Sequence, residues 1–153
     1  MTAKEELFLK NFSDFKKSLE WLKRALSKAE GIDLDKPLSE EEVERVEILF
    51  SRFSRSVDFL ISKILRGIDL LELEEVGTKL DVAIRAEKRG FVRDYRRLIA
   101  LKDLRNELAH EYLGERFVLR LPEVVEGAKE LLSISERVIN YVERELLPKL
   151  GLK

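Results

Sequence analysis

The chain has 153 residues with a formal net charge of −1, 44% hydrophobic and 39% charged. That is long enough for one domain with its own core, and too evenly charged for a polycation, so a nucleic-acid site has to be a local patch. There is no Cys, which excludes a disulfide framework, thiolate chemistry and a Cys-based zinc site.

The N-terminus, MTAKEELFLKNF, carries charges throughout and lacks the apolar run of a secretory signal; no stretch is long enough to span a bilayer. The expectation is a cytoplasmic protein with no membrane partner. In chain order, Phe8, Phe12, Phe15, Leu19, Leu22 and Leu26 form one helical stripe. Gly31 stops it, and GIDLDKP connects it to a second helix. That helix opens at Ser39, with Glu42 three residues on as in a capping box. Its stripe is Val43, Val46, Phe50, Phe53, Val57, Leu60 and Ile64, with Gly67 as its end.

The acidic, apolar stretch from Asp69 to Gly77 reads as a connecting turn, its Glu72, Glu74 and Glu75 solvated. Thr78 can cap a third helix, which Gly90 interrupts. A fourth runs from about Phe91 to Tyr112. Leu113-Gly114 and Leu121-Pro122 bracket a loop, and a last helix starts at Pro122 and stops near Pro148. No strand-like alternation or internal repeat is present. The predicted architecture is all-α: a single domain over 1–153, an antiparallel bundle of four to five helices.

The one segment that carries chemistry is LKDLRNELAHEYLGE, which holds the only His. On a helical wheel, Leu98, Leu101, Leu104 and Leu108 define the core face, and His110 lies about 180° from Leu101 with Asn106 at about 140°. Asn106 and His110 are an i,i+4 pair; Ile99 and Asp103 share their outward face. Arg105 diverges from His110 by about 140°. Charge adds to this. From Arg85 to Arg105 there are eight basic residues against three acidic, net +5, which leaves 21 against 27, net −6, elsewhere. A basic band of this kind suits a phosphate-bearing partner, with Arg93, Arg96, Arg97 and Lys102 as candidate RNA contacts; a solvated helix face with internal ion pairs produces the same count.

Arg105-Asn106-Glu107-Leu108-Ala109-His110-Glu111-Tyr112 resembles the R-x4-H-x-Tyr signature of the HepT branch of the HEPN superfamily, with Asn after the Arg. The upstream helix with Glu44-Arg45 and Arg52-Phe53 is similar to that branch as well. The resemblance implies a HEPN-like bundle and a toxin of a type VII-like toxin–antitoxin pair. Such a toxin is a homodimeric, metal-independent endoribonuclease with no cofactor and no metal site. It also implies a minimal nucleotidyltransferase antitoxin, MntA-like, that transfers AMP to Tyr112. The residue types fit independently. Metal-free RNA cleavage needs a proton acceptor near neutrality, the part of His110. It also needs a fixed planar cation for the phosphorane oxygens, the part of Arg105. Asn106 would orient the imidazole or the phosphate, and a second copy would bring one chain's His110 to the other's Arg105.

Two other readings compete. Glu107-x-x-His110 has the spacing of di-iron bundles, but that site needs a second such motif, and there is one His. A non-catalytic helical module that binds a nucleotidyltransferase, or presents its substrate, would keep every feature except the Arg/His pairing.

Overall fold

The computed structural model describes residues 1–72, 75, 77–111 and 116–152. Within them the regular structure is helical throughout and makes a bundle of five helices. Helix α1 (Ala3–Ala29) is capped by Thr2 and Glu5, each bonding the other's backbone N–H, and buries Phe8, Phe12, Phe15, Leu19, Leu22 and Leu26. Helix α2 opens on the expected capping box of Ser39 and Glu42. It has three consecutive parts: α-helical Glu40–Asp58, π-helical Phe59–Leu65 and α-helical Arg66–Leu71.

Gly67 therefore does not end this helix. A Cβ there would lie 2.7 Å from Cδ1 of Phe8. The glycine serves the close approach of α1 to α2, and the helix continues for another turn.

Helix α3 (Lys79–Lys88) starts on the cap formed by Thr78 and Asp81, and the chain leaves it through Gly90 at φ +83. Helix α4 (Arg96–Glu111) begins five residues later than the apolar pattern from Phe91 suggests. Phe91 and Val92 are buried but not helical. Their segment is held by side chains instead. Arg137 donates to the Phe91 carbonyl, Glu87 accepts the Tyr95 N–H, and Asp94 accepts the Arg96 N–H. A short 3-10 turn (Phe117–Arg120) precedes α5, which comprises Leu121–Tyr141, π-helical Val142–Leu146 and Leu147–Lys149, with Pro122 in its first turn.

Contacts at successive levels set the directions. Phe8 meets Gly67, Ser18 meets Ser56 and Trp21 meets Arg52, so α1 and α2 are antiparallel. Arg97 pairs with Glu130 while Arg120 reaches Glu107 and Glu111, so α4 and α5 are antiparallel. Lys16–Glu143 and Lys129–Glu30 give the same sense for α1 and α5. Phe15, Phe53, Leu60, Ile64, Leu131 and Ile134 sit at the centre of one buried cluster. Among the described residues no helix is long and apolar enough to cross a membrane.

The stretch expected to be a solvated turn is instead structural. Asp69 is fully buried in the last turn of α2, accepting from Arg89 at 2.6 Å and Arg85 at 3.3 Å. Glu72 follows, partly buried, and accepts from Arg89, Tyr141 and Lys149. Burial opposes the charged form of Glu72, but the hydrogen bonds from Tyr141 and Lys149, with Arg89 nearby, hold its carboxyl below the usual value. Burial and the same carboxylate push the Tyr141 phenol up to about 12. The ends of α2, α3 and α5 are thus joined by charge. Glu74 lies outside the described residues, and Glu75 is exposed.

Candidate functional site

Helix α4 is amphipathic in the expected sense. Leu98, Leu101 and Leu108 are buried and Leu104 is half-buried, while Asn106 and His110 are exposed one turn apart on the opposite side. Among the described residues neither the Asn106 nor the His110 side chain has a hydrogen-bond partner. Their turn is anchored from beneath by Arg120, 16% exposed, which bonds Glu107 at 3.1 Å, Glu111 at 2.9 Å and Glu123 at 2.9 Å. Its guanidinium is held charged by its bonds to Glu123, Glu111 and Glu107, against the effect of burial. Glu107, the carboxylate of the Glu-x-x-His spacing, is thus engaged by a cation. Among the described residues no group of metal-ligating side chains gathers.

Arg105 points to the α2 flank. Its Nε lies 3.1 Å from both carboxylate oxygens of Asp58 and its Nη2 3.0 Å from Oδ2, a forked, charge-assisted pair. Lys102, one turn earlier, lies 2.8 Å from Oδ1 of the same carboxylate. Burial would raise the Asp58 carboxyl; the hydrogen bonds from Lys102 and Arg105 outweigh it and hold the group below its ordinary 3.8. Sequence reading missed Asp58, though a signal existed: it is the one acid between Glu47 and Asp69, in a run that carries Arg52, Arg55, Lys63 and Arg66.

The candidate RNA contacts are not gathered on one surface. Arg97 is paired across to Glu130 of α5, Lys102 across to Asp58 of α2, and Arg96 is engaged locally by Asp94. Arg93 is exposed and has no ion-pair partner among the described residues. Ile99, expected to face outward, is half-buried. It lines a small cavity of about 190 Å³ with Ile61, Val82 and Leu98, and Lys102 and Asn106 at its polar edge. Tyr112, the expected modification site, lies outside the described residues.

Within one chain the arrangement offers a fixed guanidinium on one flank of α4 and a free imidazole and carboxamide on its outer face. No family model, curated protein or solved structure matches this chain.

Proposed function

We propose that this chain is a metal-independent endoribonuclease of the HEPN type, the toxin of a type VII-like toxin–antitoxin pair, acting in the cytoplasm as a homodimer. The observation that carries the reading is the exposure of His110 and Asn106 together, one turn apart, beside an Arg105 whose orientation Asp58 fixes. In the reaction, the imidazole accepts the proton of a ribose 2′-hydroxyl. The resulting alkoxide attacks the adjacent phosphorus, the P–O5′ bond breaks, and the leaving oxygen takes up a proton. The products are a 2′,3′-cyclic phosphate and a 5′-hydroxyl. A guanidinium stabilises the phosphorane oxygens. Because Arg105 and His110 diverge around α4, the second chain of the dimer supplies the complementary group. Control falls to an MntA-like nucleotidyltransferase that transfers AMP from ATP: the Tyr112 phenol oxygen, losing its proton, attacks the α-phosphorus and the bond to the pyrophosphate leaving group breaks. The added phosphate then competes for Arg105 and for the RNA path.

The test is cleavage of an end-labelled RNA in EDTA. The wild type should leave 2′,3′-cyclic phosphate ends, and His110→Ala should slow cleavage by about 10²–10⁴-fold. Loss of activity in EDTA, or normal cutting by His110→Ala, would reject the assignment. Intact-mass analysis after co-expression with an active partner should show an added AMP on the wild type and none on Tyr112→Phe.

A second reading is a non-catalytic module that binds the nucleotidyltransferase. The three-membered cluster of Asp58, Lys102 and Arg105 favours it, because there Arg105 already has a structural role. The same cleavage assay separates the two.

A further inference from the structure

A group of cations free to meet phosphate lines a groove between α1 and α2. Trp21, the only tryptophan, is 49% exposed, with the Arg24 guanidinium 4.9 Å and the Arg52 guanidinium 4.7 Å from its ring. It lines an open depression of about 630 Å³ with Lys17, Arg52, Arg55 and Phe59. A second depression of about 500 Å³ shares Ser51, Arg55 and Phe59 with the first and continues past Lys63 to Arg105. Lys63 stands on the π-helical part of α2, a distortion that recurs at functional sites. Among the described residues Lys17, Arg52, Arg55 and Lys63 form no ion pair. Of the two carboxylates that line the track, Asp58 is taken by Lys102 and Arg105, and Asp14 stands at the α1 rim.

We propose that this groove is a binding track for single-stranded RNA that leads to Arg105. A base stacks in the layer formed by Trp21 and the guanidinium planes of Arg24 and Arg52, and Lys17, Arg55 and Lys63 take the phosphates. Unpaired cations release counterions on meeting a phosphate backbone, which already-paired ones do not, and an exposed aromatic flanked by Arg offers a sequence-tolerant stacking platform. From Arg52 to Lys63 the track runs roughly 16 Å along α2, room for a short run of nucleotides. A protein partner is the poorer fit: interface cores are depleted of charge, and in the first depression only Trp21 and Phe59 are apolar. The choice of RNA as ligand rests on the ribonuclease reading; the stacking and charge arguments do not.

Trp21 fluorescence reports the groove directly. An oligouridine of about 12 nucleotides is titrated into full-length His110→Ala protein, which removes cleavage, at salt between roughly 50 and 200 mM. We expect quenching of Trp21 and an affinity that falls with salt. Arg52→Gln/Arg55→Gln should weaken binding about tenfold and lower the log–log salt slope by about 0.7, since Arg55 alone of the two meets a phosphate. The exposed pair Lys17→Gln/Lys63→Gln, both assigned to phosphates, should weaken it similarly and lower the slope by about 1.4, and circular dichroism checks that each variant is folded. Absence of quenching, or affinity and slope unchanged in both pairs, overturns the groove. So does equal binding of polyglutamate of the same length, which would point to an acidic protein surface. RNA held in the groove by a wild type that never cleaves it would remove the ribonuclease reading and leave the groove standing. Cleavage indifferent to both pairs would do the reverse.

Discussion

Replacing Asp58 by asparagine removes one carboxylate that satisfies two cations, Lys102 at 2.8 Å and Arg105 at 3.0 Å. Lys102 is 17% and Arg105 29% exposed, so both keep part of their desolvation cost without a partner, whereas Asp58 itself is 37% exposed and partly screened. The cost lies between that of an exposed pair, up to about 1 kcal/mol, and that of breaking a buried one, about 3–5 kcal/mol. Discounting for solvent access, about 2 kcal/mol is the working figure. For a chain of this length that lowers the melting temperature by about 4–8 °C at pH 7. The pH dependence identifies the cause. The folded-state carboxyl titrates below its ordinary 3.8 because Lys102 and Arg105 outweigh burial. Its contribution is therefore complete above the unfolded value and is lost as the pH falls through the lowered folded one. Thermal melts of wild type and Asp58→Asn should differ at pH 7, differ less in high salt, and converge once the pH has fallen below the lowered folded value. A melting temperature equal to the wild type at pH 7, or a gap of the same size in acid, would refute the role given to this carboxylate.

Two substitutions test the packing. Gly67→Ala would ordinarily stabilise a helix interior by about 1 kcal/mol, but its Cβ would meet the buried Phe8 ring at 2.7 Å. Overpacking of about 1–3 kcal/mol reverses the sign, so urea denaturation should show a less stable protein, and a gain would contradict the close approach. Asp69→Asn puts a neutral amide at a fully buried position between Arg85 and Arg89, while Arg89 keeps Glu72, so the loss is below the roughly 3–5 kcal/mol of a fully stranded buried charge; about 2 kcal/mol, or about 4–8 °C in a thermal melt, is expected, and a shift within error would mean the cluster is not coupled to folding.

The parts of the fold that were legible in the sequence are those decided locally. The stripe from Phe8 to Leu26 and the capping box of Ser39 and Glu42 depend on residues three or four apart, and both are present. The same holds for the outer face of α4, where a wheel built on Leu98, Leu101 and Leu108 leaves Asn106 and His110 exposed. What was illegible is decided at a distance. Gly67 reads as a stop until Phe8 is known to lie against it. Asp69 and Glu72 read as a polar turn until Arg85, Arg89 and Tyr141 arrive from two other helices. Phe91 and Val92 continue the apolar period of α4 although they are buried as a connection, because Arg137 and Glu87 satisfy its backbone groups.

The same reasoning explains why a charge count along the chain does not locate a cluster of unpaired cations. The stretch from Arg85 to Arg105 is net +5, yet Arg85 and Arg89 are drawn to Asp69, Arg97 to Glu130, and Lys102 and Arg105 to Asp58. A run of cations in a small bundle faces several neighbours, and each neighbouring helix brings its own acids. Unpaired cations gather where a helix meets a partner with few acids to offer. Helix α2 from Arg52 to Lys63 carries one acid, and that acid faces α4. Towards α1 it faces Lys17, Trp21 and Arg24, with one carboxylate, Asp14, at the rim, and among the described residues Lys17, Arg52 and Arg55 form no ion pair there. The α1–α2 seam thus gathers unpaired cations that no run of the sequence displays, and Asp58 is the boundary at which that seam reaches Arg105.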